Sequence, residues 1–74
     1  EAYEKANELK IIIYHRSDFD WAEKHAEKVS SNCMLYLQPE WDKREEIQPL
    51  IVDYIKRNPK WRLSLQTHKY LNIP

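Results

Sequence analysis

Polar side chains follow each of three apolar segments that have the pattern of β-strands. The segments end in His15-Arg16-Ser17, in Gln38-Pro39-Glu40 and in Gln66-Thr67-His68-Lys69. Parallel α/β proteins bind ligands at the carboxyl ends of their strands, so the three ends predict one wall of a binding site. Polar residues are also expected wherever a strand leaves the core, and the pattern alone does not separate the two interpretations.

The side chains at even positions form the surface that such a ligand would contact. Amides could bind the edge of a heterocyclic ring, aromatic rings could stack on it, and a cation could meet a carboxylate. These side chains are Tyr14, Arg16, Tyr36, Gln38, Glu40, Ser64, Gln66 and His68. Gln38 and Gln66 are the stronger candidates, because both lie inside a predicted strand and on its polar side.

Single histidines and the cysteine give weaker signals. His68 is a candidate general acid or base, although a lone histidine in a loop is more often only solvated. His15 is expected on the apolar side and His25 on a helix surface. Cys33 begins a strand on the buried face, which predicts an inert core thiol. No spacing of cysteine and histidine is typical of a metal site.

The elements that position these residues alternate between strand and helix. The patterns predict strands near 9–15, 33–38 and 61–67 and helices near 18–29 and 43–57. Capping boxes at Ser17/Asp20 and Asp42/Glu45 mark the helix starts. Pro49 requires either a kink or a helix that begins near Gln48. A short leading helix in residues 1–8 is a further option.

This order predicts one unit, residues 1–74, of the α/β class with a β-α-β-α-β parallel arrangement. Side chains at odd strand positions are almost all apolar and are expected under both helices. The polar even side favours the lumen of a barrel over a sheet covered by helices on both faces. An arc of a barrel cannot close, so we expect it to be marginal alone or to dimerise through its bare face and edges.

Composition excludes several functional classes. The 74 residues carry 12 basic and 12 acidic side chains, one cysteine and no glycine. The charge balance argues against a basic nucleic-acid surface and a polybasic membrane anchor. The lack of glycine excludes a phosphate-binding loop. No apolar run approaches the ~20 residues of a membrane span, and no signal peptide is visible. The sequence predicts a cytoplasmic piece of a larger protein.

Three stretches carry a family resemblance: HRSDFDWAEKHAEKVS, LYLQPEWDKREEIQPLI and WRLSLQTHKYLNIP. They resemble the C-terminal third of 7-carboxy-7-deazaguanine synthases, radical S-adenosylmethionine (radical SAM) enzymes of queuosine and 7-deazapurine biosynthesis. The similarity runs from Leu9 to Pro74, and LQPEW and QTHKYLNIP are its most specific parts. The resemblance implies the C-terminal portion of a partial, TIM-like radical SAM barrel and a homodimer.

The resemblance also implies an activity and cofactors. The family converts 6-carboxy-5,6,7,8-tetrahydropterin to 7-carboxy-7-deazaguanine with loss of ammonia, using S-adenosylmethionine, a 4Fe–4S cluster and Mg²⁺. By similarity, Ser17 and Gln38 would lie near S-adenosylmethionine. Gln66, His68 and the terminal carboxylate of Pro74 would lie near the pterin. The three cysteines that bind the cluster are missing, so this chain alone is expected to be inactive.

Two other interpretations stay open at this stage. A stand-alone α/β binding or dimerisation module would use Tyr14, Tyr36, Gln38 and Gln66 to hold a partner or a purine-like ligand. A folding remnant without activity would show broad thermal unfolding and exposed apolar surface.

Overall fold

The computed structural model describes residues 2–5 and 7–64, without the side chains of Tyr3 and Lys5. A single turn of 3₁₀-helix, Trp41–Lys43, comes directly before the second helix. In chain order the elements are β1 (Ala2–Lys5), β2 (Glu8–Ile13), α1 (Asp18–Ala26), β3 (Met34–Pro39), α2 (Arg44–Arg57) and β4 (Trp61–Leu63).

The four strands form one sheet in the order β1-β2-β3-β4. Strands β2, β3 and β4 are parallel, with α1 connecting the first pair and α2 the second. Three parallel strands with two helices confirm the predicted α/β class. Because these neighbouring strands are parallel, the carboxyl ends of β2, β3 and β4 meet at one edge of the sheet.

The first strand corrects two expectations. Residues 2–5 form a strand, so the leading helix in residues 1–8 is wrong. Lys5 pairs with Glu8 and Ala2 with Ile11, which makes β1 antiparallel to β2 and the sheet not wholly parallel. The physical reason is the exposed edge of β2, whose backbone groups need partners. Asn7, a residue that favours turns, follows β1 and allows the chain to reverse.

Both helices pack on the odd face, as the alternation predicts. Leu9, Ile11 and Ile13 of β2, with Leu37 and Trp61, belong to the same buried cluster as side chains from α1 and α2. The helical members of that cluster are Phe19, Ala22, Ile47 and Ile51. Burial of this single cluster supplies the main stabilisation of the fold.

The helix bounds differ from the predicted ones. Helix α1 ends at Ala26, earlier than predicted, although Val29 beyond it still packs against the core. Helix α2 begins at Arg44 and continues through Pro49, so a regular part that starts near Gln48 is wrong. Pro49 lies in the interior of the helix on its exposed side, where the ring removes one backbone hydrogen bond.

Candidate ligand-binding site at the carboxyl ends of the strands

Gln38 lies near the carboxyl end of β3. Among the described residues it is the one polar side chain that is buried, with 6% of its surface exposed. It is in register with Ile12 of β2, which is also buried. The hydroxyl of Ser64, just after β4, donates a hydrogen bond to Oε1 of Gln38 over 3.2 Å. The structure therefore brings Gln38 and Ser64 together across two strands, as their shared even face predicts.

The amide nitrogen of Gln38 has no acceptor among the described residues, since the bond from Ser64 uses only the carbonyl oxygen. Buried polar groups are almost always paired, and an unpaired one costs roughly 1–3 kcal/mol. A buried amide whose N–H donors have no described acceptor, at the edge where parallel α/β proteins bind ligands, is the arrangement expected of a side chain that binds a polar ligand.

Ser17 lies in the turn between β2 and α1 at the same edge of the sheet. Its side chain is exposed and makes no capping hydrogen bond to α1. The predicted Ser17/Asp20 capping box is therefore wrong. Ser17 has helical backbone angles, φ −65° and ψ −18°, whereas an N-cap residue needs an extended backbone to aim its oxygen at the helix N–H groups. Its hydroxyl stays exposed at the strand ends.

Asp18 fixes that turn instead. Its Oδ2 accepts the backbone N–H of Tyr14 over 2.8 Å and that of His15 over 3.0 Å. The carboxylate thus ties the first residue of α1 back to the two residues that follow β2. His15 is exposed, contrary to the expectation that it lies on the apolar side.

Glu40 has a similar role after β3. Both of its carboxylate oxygens accept the backbone N–H of Asp42, over 3.2 and 2.9 Å. Glu40 therefore caps the 3₁₀ turn, and the Asp42/Glu45 capping box is wrong because Lys43, not Asp42, precedes α2. Arg44 lies 3.9 Å above the ring of Trp41 and donates to its carbonyl oxygen over 2.6 Å. The carboxylate of Glu40 is therefore bound to the backbone of the 3₁₀ turn and does not extend toward a ligand.

Three of the predicted site residues, Gln66, His68 and Pro74, lie outside the described residues. Their assignment to the pterin therefore stays a prediction. The last part of the predicted strand 61–67 also lies outside them.

A cluster of hydrogen bonds around Glu23 is the main feature that the sequence does not predict. Its carboxylate accepts hydrogen bonds from the Tyr54 hydroxyl, from Nζ of Lys60 over 2.6 Å and from Nε1 of Trp61 over 2.9 Å. Partial burial raises the pKa of Glu23, but the bonds from Lys60, Tyr54 and Trp61 lower it by more. Burial and the bond to Glu23 raise the pKa of Tyr54. The partners lie far away in sequence, so no local pattern indicates them.

This cluster is structural. It joins α1 to α2 and to the amino-terminal start of β4, at the end of the strand remote from the candidate site. In parallel α/β folds that end of the sheet serves stability rather than ligand binding. Tyr54 also stacks on Phe19, with ring centroids 4.3 Å apart, so the same side chain supports the core.

The donors of this chain suit some of the implied cofactors and not others. Within residues 2–5 and 7–64, no group of three or more His, Cys, Asp or Glu side chains could hold a metal ion. Asp18 and Glu40, the carboxylates at the strand ends, already bind backbone N–H groups. An iron–sulfur cluster does not fit, because the sequence has one thiol and Cys33 precedes β3, away from the site edge. The Gln38 amide and Ser17 hydroxyl do suit the polar groups of S-adenosylmethionine.

None of the described helices is both long and apolar enough to cross a membrane. Helix α2, the longest of them, carries charged side chains at both ends.

The sequence is similar to several proteins of one name from different organisms. The chain is 65% identical over all 74 residues to a 7-carboxy-7-deazaguanine synthase of Flavobacterium psychrophilum, of which it covers 35%. It is 54% identical to the synthase of Synechocystis, over 96% of this chain and 34% of the relative. It is 36% identical to the synthase of Escherichia coli K12, over 99% of this chain and 33% of the relative. The chain is homologous to part of the 7-carboxy-7-deazaguanine synthases.

The resemblance seen in the sequence is thereby confirmed. The chain spans about a third of the length of these synthases. No profile of a known protein family matches it, and no solved structure matches it.

Proposed function

We propose that this chain forms the C-terminal part of a radical SAM lyase, a 7-carboxy-7-deazaguanine synthase. The enzyme would convert 6-carboxy-5,6,7,8-tetrahydropterin to 7-carboxy-7-deazaguanine with loss of ammonia. The chain would contribute a wall of the S-adenosylmethionine and substrate pockets and no ligands to the iron–sulfur cluster. Alone it would be inactive. The proposal is supported by 65% identity over the whole chain to a protein named as this synthase.

The observation that carries the pocket assignment is the buried amide of Gln38. Its N–H donors lack an acceptor among the described residues, and it lies at the edge where parallel strands bind ligands. A ligand oxygen or ring nitrogen would supply that acceptor. Ser17, exposed at the same edge, would provide a second hydrogen-bonding group for S-adenosylmethionine. Bound in the complete enzyme, this ligand would supply the radical that starts the rearrangement after taking one electron from the iron–sulfur cluster.

The sheet geometry also supports an arc of a partial, TIM-like barrel. Sequential parallel strands with both described helices on the odd face leave the even face without a described helix, as the inner wall of a barrel requires. In the proposed enzyme a parallel strand from the remaining part would take the place beside β2 that β1 occupies here. We propose that the complete enzyme is a cytoplasmic homodimer that needs Mg²⁺, whose ligands would come from outside this chain.

A chimera tests the proposal. The matching third of the Flavobacterium psychrophilum synthase is replaced by this chain, and formation of 7-carboxy-7-deazaguanine is followed by chromatography. We expect turnover within about tenfold of the parent, because the two sequences are 65% identical here. The isolated chain is expected to show none. An inactive chimera that retains its iron–sulfur absorbance and folded state would contradict the proposal and favour a stand-alone module.

The substrate residues have their own test in that chimera. Gln66→Ala and His68→Ala are expected to lower turnover while the iron–sulfur absorbance stays intact. One residue added after Pro74 should also lower turnover if the terminal carboxylate binds the pterin. Lys24→Ala, on the exposed side of α1, is the matched surface control. Unchanged turnover in all three variants would remove the pterin assignments.

A further inference from the structure

A row of three side chains crosses the face of the sheet opposite the two helices, and the candidate site described above does not use it. Lys10 of β2 is in register with Tyr36 of β3, and Tyr36 is in register with Arg62 of β4. Residues in register on parallel strands point to the same side of a sheet. The row therefore places two cations on either side of a tyrosine, on the face opposite the two helices.

Neither cation has a carboxylate partner in the described part of the chain. The ion pairs found there join Arg57 to Asp53 and Lys60 to Glu23. Glu8 lies on the same face, two residues from Lys10 along β2, and makes no ion pair with it. Lys10 and Tyr36 are half-buried and Arg62 is exposed. Two unpaired like charges on one surface attract an anion.

The spacing of the row suits a single anionic group. Adjacent strands lie ~4.8 Å apart, so the Cα atoms of Lys10 and Arg62 are roughly 10 Å apart. Both side chains are long enough to converge on a group held above Tyr36, whose hydroxyl is a further donor. Arginine and lysine form charge-assisted hydrogen bonds to carboxylate and phosphate oxygens, and these bonds are stronger than neutral ones.

We propose that Lys10, Tyr36 and Arg62 form an oxyanion site that binds a carboxylate or phosphate group of a small molecule. The site lies one row from Ile12 and Gln38, so one ligand could reach both the oxyanion site and the Gln38 amide. The proposal is independent of the enzymatic function, because it needs only the described face of this chain.

The test uses the 74-residue chain and two simple probes. Acetate and inorganic phosphate are each titrated into the ¹⁵N-labelled chain at constant ionic strength, with chloride as the balancing salt. We expect saturable shifts of the amide signals of Lys10, Tyr36 and Arg62. The Lys10→Gln/Arg62→Gln double variant should bind about tenfold more weakly. Lys24→Gln, which removes an exposed lysine of α1, should bind as the unchanged chain does.

The two probes distinguish the possible sources of the group. Binding of acetate with weak binding of phosphate assigns a carboxylate ligand, and the reverse assigns a phosphate. Arg62→Gln alone, at an exposed position, keeps the test decisive if the double variant loses its folded spectrum, with an expected loss of about threefold. Shifts that do not saturate, or equal binding by Arg62→Gln and the unchanged chain, would overturn the proposal.

Discussion

At the scale of single residues, Gln38 combines deep burial with amide donors that have no acceptor among the described residues. An arrangement of this kind is unfavourable for the chain alone and favourable when a ligand supplies the acceptor. Residues placed for binding often cost stability in the free protein. A substitution at Gln38 can therefore distinguish a ligand-binding role of this side chain from a structural one.

Replacing Gln38 by methionine, which has a similar volume, should change the free energy of unfolding of the 74-residue chain by less than about 1 kcal/mol. The lost bond to Ser64 would be offset by removal of the unpaired amide. Urea denaturation measures this change, and Ser64→Ala, which leaves the Gln38 oxygen unpaired, is the control. A loss of 3 kcal/mol or more would show that Gln38 is structural.

The turn after β2 supplies a second prediction for single residues. Asp18→Asn should lower the free energy of unfolding by about 1 kcal/mol, because the charged acceptor of the Tyr14 and His15 N–H groups is lost. Ser17→Ala should cost less than about 0.5 kcal/mol, because its hydroxyl caps nothing. Paired urea titrations compare the two. A larger loss of unfolding free energy for Ser17→Ala than for Asp18→Asn would show that Ser17 does cap α1.

At the scale of elements, the Glu23 carboxylate joins α1, α2 and the start of β4. Its pKa lies below the ordinary value of 4.5 in the folded chain. The stabilisation it gives is therefore fully present above about pH 4.5 and is lost as the pH falls through the lowered pKa. Tyr54, whose pKa is raised, stays protonated across this range and keeps donating to the carboxylate.

Glu23→Gln should lower the free energy of unfolding by about 1–2 kcal/mol at pH 7, because the charged acceptor of three hydrogen bonds is lost. The difference from the unchanged chain should shrink as the pH falls from 5 to 3. Thermal unfolding at several pH values measures it, with Glu27→Gln, an exposed residue just beyond α1, as the control. A difference that does not depend on pH would contradict the role of the Glu23 charge.

Helix α2 carries a proline in its interior. Pro49→Ala should restore one backbone hydrogen bond and raise the free energy of unfolding by about 1–3 kcal/mol, since proline is strongly unfavourable inside a helix. Calorimetry of the two chains compares their melting temperatures. A lower melting temperature for Pro49→Ala would show that the ring itself makes a stabilising contact.

At the scale of the whole molecule, alternation along the strands predicted the sheet, because one apolar face has to lie under both helices. Gln38 was also predictable, as a polar residue within an apolar strand. Strand β1 was not, because AYEK has no distinct pattern and forms a strand only by pairing with the edge of β2. The turns before the helices depend on a choice among neighbouring polar side chains. Asp18 binds the backbone after β2 and Glu40 caps the 3₁₀ turn, whereas the expected Ser17 and Asp42 cap neither helix. The Glu23 cluster depends on tertiary contacts alone.

The most direct test of the pocket assignment is the turnover of the chimeric synthase with Gln38→Met. Turnover is measured beside the unsubstituted chimera and the chimera with Lys24→Ala. Loss of a hydrogen bond to a bound ligand predicts a fall of about tenfold or more, with unchanged iron–sulfur absorbance and melting temperature. Full turnover in the Gln38→Met chimera would contradict the assignment of this chain as a wall of the pocket.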